Sequence, residues 1–136
     1  MNKIQEKIAE MNNEQATMFC RRYPNIFRGY SKKPNLSSLK TFMIGRLRRK
    51  NSISGGYGDN LDYDQIILKE LDMGIKVEYE HTDNYWKSVD IAFDHLAELP
   101  DYYTRLARME ESGEEYWNKK SIKAKNMLIK MKNKVR

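Results

Sequence analysis

Cysteine, histidine and proline are scarce in this 136-residue chain, which holds one, two and three of them respectively. A lone Cys20 excludes an internal disulfide framework and any thiolate zinc knuckle built within one chain. A reducing compartment is therefore expected, with Cys20 as a small core residue, since free cysteine is commonly buried. Long hydrophobic runs are missing too: no apolar stretch exceeds three residues, so no segment reads as a bilayer span or as the apolar core of a signal peptide. The glycines of 51–60 (NSISGGYGDN) do not form a phosphate cradle, because no Gly-Lys-Ser/Thr follows them. No cofactor is expected. Aromatics make up 11% of the chain, enough to build a core despite a mean hydropathy of −0.85.

Charge of one sign is missing in blocks, and this is more informative than the overall +6. From Gln15 to Gly58 there are ten bases and no acid; from Asp59 to Asn118 there are sixteen acids and five bases; from Lys119 to Arg136 there are eight bases and no acid. The expected organisation is a basic helical N-terminal region (1–58), an acidic helical module (59–118) and a basic amphipathic tail (119–136). Two readings of the blocks stand side by side. The bases meet an external polyanion, or they fold onto the acidic block of the same chain or of a neighbouring subunit.

The periodicity predicts an all-α protein of five to seven helices. Ile4, Ile8 and Met11 recur at helical spacing, and Met18 and Phe19 continue the stripe. Asn12-Asn13 marks a kink or a fresh N-cap, and Pro24 ends the segment. Asn35 caps a helix with Leu36, Leu39, Met43 and Leu47 inward, whose basic end suits the helix dipole. The 51–60 loop reads as a hinge. A helix follows from Asp62 to Met73, with Gly74 as its C′ residue. Ile75–Thr82 alternates and fits an extended or a helical segment; we read it as helical or irregular. Thr82 or Asp83 caps a helix bearing Trp86, Val89, Phe93, Leu96 and Ala97. Pro100 opens another, which Ser112-Gly113 ends or interrupts. Ala124, Leu128, Met131 and Val135 share one stripe of the last segment.

One stretch carries a resemblance. Gly74-Ile75-x-Val77-Glu78-x-Glu80-His81-Thr82, followed by Ile91-Ala92-x-Asp94-His95-Leu96-x-Glu98-x-Pro100-Asp101-Tyr102-Tyr103, resembles an uncharacterised domain family of tailed phages, bacteria and metagenomes. It covers residues 71–110. The resemblance implies a small helical module and a phage setting, with no activity attached.

Both histidines fall inside this signature, among Glu78, Glu80, Asp94 and Glu98. His81, His95 and Glu98 are the candidate metal ligands, and the same region is the candidate site of a metal-dependent reaction. Against this, Glu78-x-x-His81 and His95-x-x-Glu98 run in opposite directions, unlike the repeated Glu-x-x-His of di-iron bundles. A helix starting near Asn84 would also hold its start about 16 Å from His95. The competing reading is that these polar groups pair with each other or with backbone around a helix junction, and no catalytic residue is assigned. The adjacent pairs Tyr85-Trp86, Tyr102-Tyr103 and Tyr116-Trp117 suit core and interface better than base stacking, because they lie in the acidic block.

The leading functional expectation is a phage virion structural or assembly protein: a non-catalytic helical binding module, part of an oligomer, in the virion or host cytoplasm. Its basic arms would engage other phage structural proteins or copies of itself, with packaged DNA as a further target and no membrane partner. The binding residues under this reading are Arg21, Arg22, Arg28, Lys32, Lys33, Arg46, Arg48, Arg49 and Lys50, with Lys119, Lys120, Lys123, Lys125, Lys130 and Lys132 in the tail. The same residues would serve the alternative, a nucleic-acid-binding accessory or regulatory protein.

Overall fold

Three short helices open the chain, each started by an asparagine that satisfies backbone donors at the helix N-terminus. Asn2 caps α1 (Lys3–Glu10), Asn12 caps α2 (Asn13–Arg22) and Asn35 caps α3 (Leu36–Arg46). In each, the side chain of the third helical residue (Gln5, Gln15 or Ser38) bonds back to the cap, completing a capping box. In the computed structural model these are followed by α4 (Leu68–Thr82), α5 (Tyr85–Glu98) and α6 (Tyr102–Lys134), with 3₁₀ turns at Tyr30–Lys32 and Tyr63–Gln65. The structure describes residues 1–50 and 55–134, the side chains of 121–125 and 134 excepted. Among the described residues there is no strand, so the fold is all-α. None of these helices is long and apolar enough to cross a membrane.

Two compact units emerge, Met1–Tyr103 and Thr104–Arg136. In the first, the basic and acidic stretches pack together. Ile8, Cys20, Phe27, Met43 and Leu47 are buried, and so are Leu71, Ile75, Val89, Phe93 and Tyr103. Burial pushes the Cys20 thiol up to about 11, which agrees with the core role expected for it.

Several local expectations are corrected. The segment at 62–73 is a 3₁₀ turn followed by a helix that starts at Leu68 and runs through Gly74 to Thr82, absorbing the alternating Ile75–Thr82 stretch. Gly74 is therefore mid-helix, for a packing reason given below. The cap of α5 is Asn84, whose Oδ1 accepts from Lys87 N. Asp83 instead ends α4 in the left-handed region at φ 58°. Met18 is 60% exposed, so α2 turns it away from the core. Ser112-Gly113 does not interrupt α6: nothing crowds Gly113, and a lone glycine costs a helix only about 1 kcal/mol.

Of the supposed hinge, residues 51–54 lie outside the described residues. The part that follows is tethered. Gly58 N donates to Asp94 Oδ1 at 2.7 Å, and a Cβ on Gly58 would lie 2.6 Å from the Phe93 carbonyl carbon. Only a glycine lets the loop backbone approach α5 this closely.

Candidate functional site

The residues of the resemblance converge on the junction where α4, α5 and the start of α6 meet. α4 presents Gly74 to the ring of Tyr103, and a Cβ at position 74 would sit 2.8 Å from both Cδ2 and Cζ of that ring. The missing side chain is thus the seat of the tyrosine. Glu78, one turn further along α4 and on the same face, accepts the Tyr103 hydroxyl at 2.9 Å. Glu70, one turn before Gly74, accepts the Tyr103 backbone N–H at 3.1 Å. That N–H is one of the four at the start of α6 with no partner inside the helix, and a carboxylate there also suits the helix dipole.

His95 of α5 closes the cluster. Its Nε2 lies 3.7 Å from Glu78 Oε1, too long for a hydrogen bond but within ion-pair range when the ring is protonated. The imidazole stacks on Tyr102 at 4.3 Å and 9°, and meets Tyr103 edge-on. Burial, the Glu78 charge and the bond donated to Glu78 all oppose ionisation of Tyr103, and its pKa moves well above the ordinary phenol value. The cluster therefore keeps Tyr103 as a neutral donor, which is a poor base or nucleophile.

The rest of the signature disperses. Asp94 holds the 55–59 loop through Gly58, while Glu80, His81 and Glu98 are exposed. Only Glu78 and His95 of the six polar positions come together. Among the described residues, no three His, Cys, Asp or Glu side chains are arranged to hold a metal ion. The proximity of Gly74 to Tyr103 was not anticipated from sequence, although glycine inside an otherwise helical pattern was the available signal.

The basic side chains divide by what they touch. Arg49 is interior. Its Nη1 pairs with Asp90 Oδ1 at 2.8 Å, Nη2 donates to Gly58 O and Nε donates to Leu61 O. The guanidinium also lies 4.0 Å from the Phe93 ring centre. Arg28 sits over Tyr79, Arg46 over Tyr85, Lys50 over Trp86 and Lys33 over Phe42, all of them cation–π contacts. Arg21, Arg22, Lys32 and Arg48 are exposed. In the second unit, Lys119, Lys120, Lys130 and Lys132 are exposed, and the side chains of Lys123 and Lys125 lie outside the described residues.

That unit also exposes large apolar side chains. Met109, Tyr116, Trp117, Met127, Leu128 and Met131 of α6 are each between 50% and 62% exposed. At about 100° per residue these six fall within a stripe roughly 120° wide that also holds Lys120, while Ile129, 55% exposed, lies on the opposite face.

The family model described as a protein of unknown function (DUF5661) matches residues 31–112. No curated protein and no solved structure matches the chain.

Proposed function

Starting from the membership of this chain in the DUF5661 family, we propose that it is a non-catalytic helical binding module with a structural or assembly role, in the setting of a phage particle or its host cytoplasm. The observation that carries this reading is α6. A 33-residue helix with six large apolar side chains in one exposed stripe is built to be covered by another protein surface. Carboxylates in and beside the signature support the same reading, because Glu78 and Asp94 within it, and Glu70 and Asp90 next to it, each serve as an acceptor or ion-pair partner within the fold. The phage setting rests on the resemblance of residues 71–110 described above.

Deleting residues 119–136 tests the reading. Loss of incorporation into particles, measured by quantitative proteomics on purified virions, is expected. Undiminished incorporation of the truncated chain would refute it.

A second reading, binding to a polyanion such as DNA, is favoured by one specific feature. A cleft of about 320 Å³ is lined by Arg21, Lys33, Thr17, Tyr30 and Asn35, among other residues, with no acidic side chain among the described residues that line it. Affinity for duplex DNA would then fall with salt at a log–log slope of about 0.9 per phosphate neutralised. A flat salt response would exclude it.

A further inference from the structure

Two recesses of the first unit adjoin, sharing Lys33 and Asn35. One is the cleft that also holds Arg21 and Tyr30. The other, a groove of about 570 Å³ beside α3, is lined by Lys33, Asn35, Ser37, Ser38, Thr41 and Phe42. Cations continue past the groove. Lys33 lies 4.8 Å and Arg46 5.1 Å from the Phe42 ring centre, Arg46 lies 4.1 Å from that of Tyr85, and Lys50 lies 4.4 Å from that of Trp86. Arg21, Lys33, Arg46 and Lys50 thus follow one another along a single track. Among the described residues, none of the four has a carboxylate within 4.0 Å. Glu6, Glu10, Glu14 and Asp83, exposed acids of α1, α2 and the end of α4, line neither recess.

A row of cations without acids is complementary to a chain of phosphates. Ser37, Ser38 and Thr41 are short side chains, so the groove admits a sugar-phosphate backbone close to α3. The rings decide which nucleic acid fits. A single strand is held by stacking its bases on aromatic faces. Phe42, Tyr85 and Trp86 are half-buried, each has a cation over its ring, and the Tyr85 hydroxyl donates to the Ile26 carbonyl. They order the cations rather than offer stacking platforms, which favours contact with phosphates over contact with bases. We propose that the track of Arg21, Lys33, Arg46 and Lys50 binds the sugar-phosphate backbone of duplex DNA without reading its sequence. This deepens the polyanion reading above and rests on it, independently of α6.

The test measures binding of the full chain to a labelled duplex of about 20 base pairs, by fluorescence anisotropy across a salt series. Arg21→Gln, Lys33→Gln and Lys50→Gln together should lower the log–log salt slope by about 2–3, at about 0.9 per phosphate neutralised. All three are exposed, so the fold is not at risk. Lys7→Gln, Lys69→Gln and Lys76→Gln remove the same charge from exposed lysines off the track and should lower the slope by less than about 1. Thr41→Glu adds a carboxylate to the exposed groove wall; it should weaken binding about fivefold or more while leaving the melting temperature nearly unchanged.

An unchanged slope in the track variant, or an equal fall in the control, would overturn the proposal. So would a single strand of equal length that binds more tightly than the duplex, or a poly-glutamate peptide of equal charge that does so. Failure here is distinct from failure of the polyanion reading. A steep slope that the track variant leaves unchanged puts the phosphates elsewhere on the chain, whereas a flat slope in the unsubstituted chain removes polyanion binding altogether.

Discussion

Replacing Gly74 with alanine puts the central packing argument at risk, because two known effects push in opposite directions. Glycine inside a helix costs about 0.5–1 kcal/mol relative to alanine, so by propensity alone the substitution stabilises. Packing opposes it. The new methyl would overlap a ring held at both ends, by Glu70 at the backbone N–H and by Glu78 at the hydroxyl. A ring so held, with its residue 1% exposed, has little freedom to retreat. Overpacking of this kind costs about 1–3 kcal/mol, and the upper half of that range applies to a rigid neighbour. The net expectation is a loss of about 1–2 kcal/mol, or roughly 4–15 °C in melting temperature for a unit of this size. Gly45→Ala is the internal control. It is also helical, nothing lies within 4 Å of a Cβ there, and it should stabilise by up to about 1 kcal/mol. Urea unfolding followed by circular dichroism measures both. If Gly74→Ala stabilises as much as Gly45→Ala, the Tyr103 ring does not occupy the space left by the missing side chain of Gly74.

Other perturbations act on charge and ionisation. Arg49→Ala takes the pairing cation from Asp90, whose side chain is 5% exposed, and should cost about 3–5 kcal/mol; pairing Arg49→Met with Asp90→Leu should recover most of the loss, and a double variant no better than Arg49→Ala would refute that cause. Tyr63→Phe removes a buried hydroxyl with no partner among the described residues, and should stabilise by about 0.5–2 kcal/mol in the same unfolding assay. Burial raises the phenols of Tyr63, Tyr85 and Tyr103, with Tyr85 pushed up to about 12. Their contribution to stability is complete below about pH 10, where the unfolded chain also keeps its phenols protonated. Above that pH the unfolded chain ionises first, and stability falls by up to about 1.4 kcal/mol per pH unit per tyrosine as pH rises toward the folded values. Alkaline unfolding should therefore coincide with a cooperative rise in tyrosinate absorbance, and ionisation of all nine tyrosines in a chain that is still folded would contradict the burial.

Local signals were the legible part of the fold. Asn12 and Asn35 were readable as caps because a cap depends on a side chain and the backbone only a few residues away. The helical spacing of Val89, Phe93 and Leu96 likewise follows from one helix burying one face. Gly74 was misread because glycine after a periodic segment is usually a helix stop, and what overrides that here is a ring 29 positions away in the chain. Arg49 looked like its neighbours Arg48 and Lys50 because no local pattern records Asp90, 41 residues distant. Glu78 and His95 meet at a helix junction, but Glu80, His81 and Glu98 share their sequence neighbourhood without sharing their place in space. Sequence proximity groups residues by position along a helix, and only packing sorts them by face.

The contacts of the charge blocks are of different kinds, and the kinds differ in what they do to charge. An ion pair cancels charge; a cation–π contact or a hydrogen bond to a carbonyl does not. In the basic stretch, Arg49 meets a carboxylate, whereas Arg28, Arg46, Lys50 and Lys33 meet aromatic faces and Lys40 donates to the Ala9 carbonyl. Asp72 behaves in the same way on the acidic side, spending its oxygens on the N–H groups of Asn25 and Ile26. These contacts help hold the fold together without cancelling the charge of Arg28, Lys33, Lys40, Arg46 and Lys50. Within one Debye length, about 8 Å at physiological salt, that charge still acts on whatever approaches. A partner would then find a basic surface already ordered by its aromatic neighbours, and little side-chain entropy would be lost on binding.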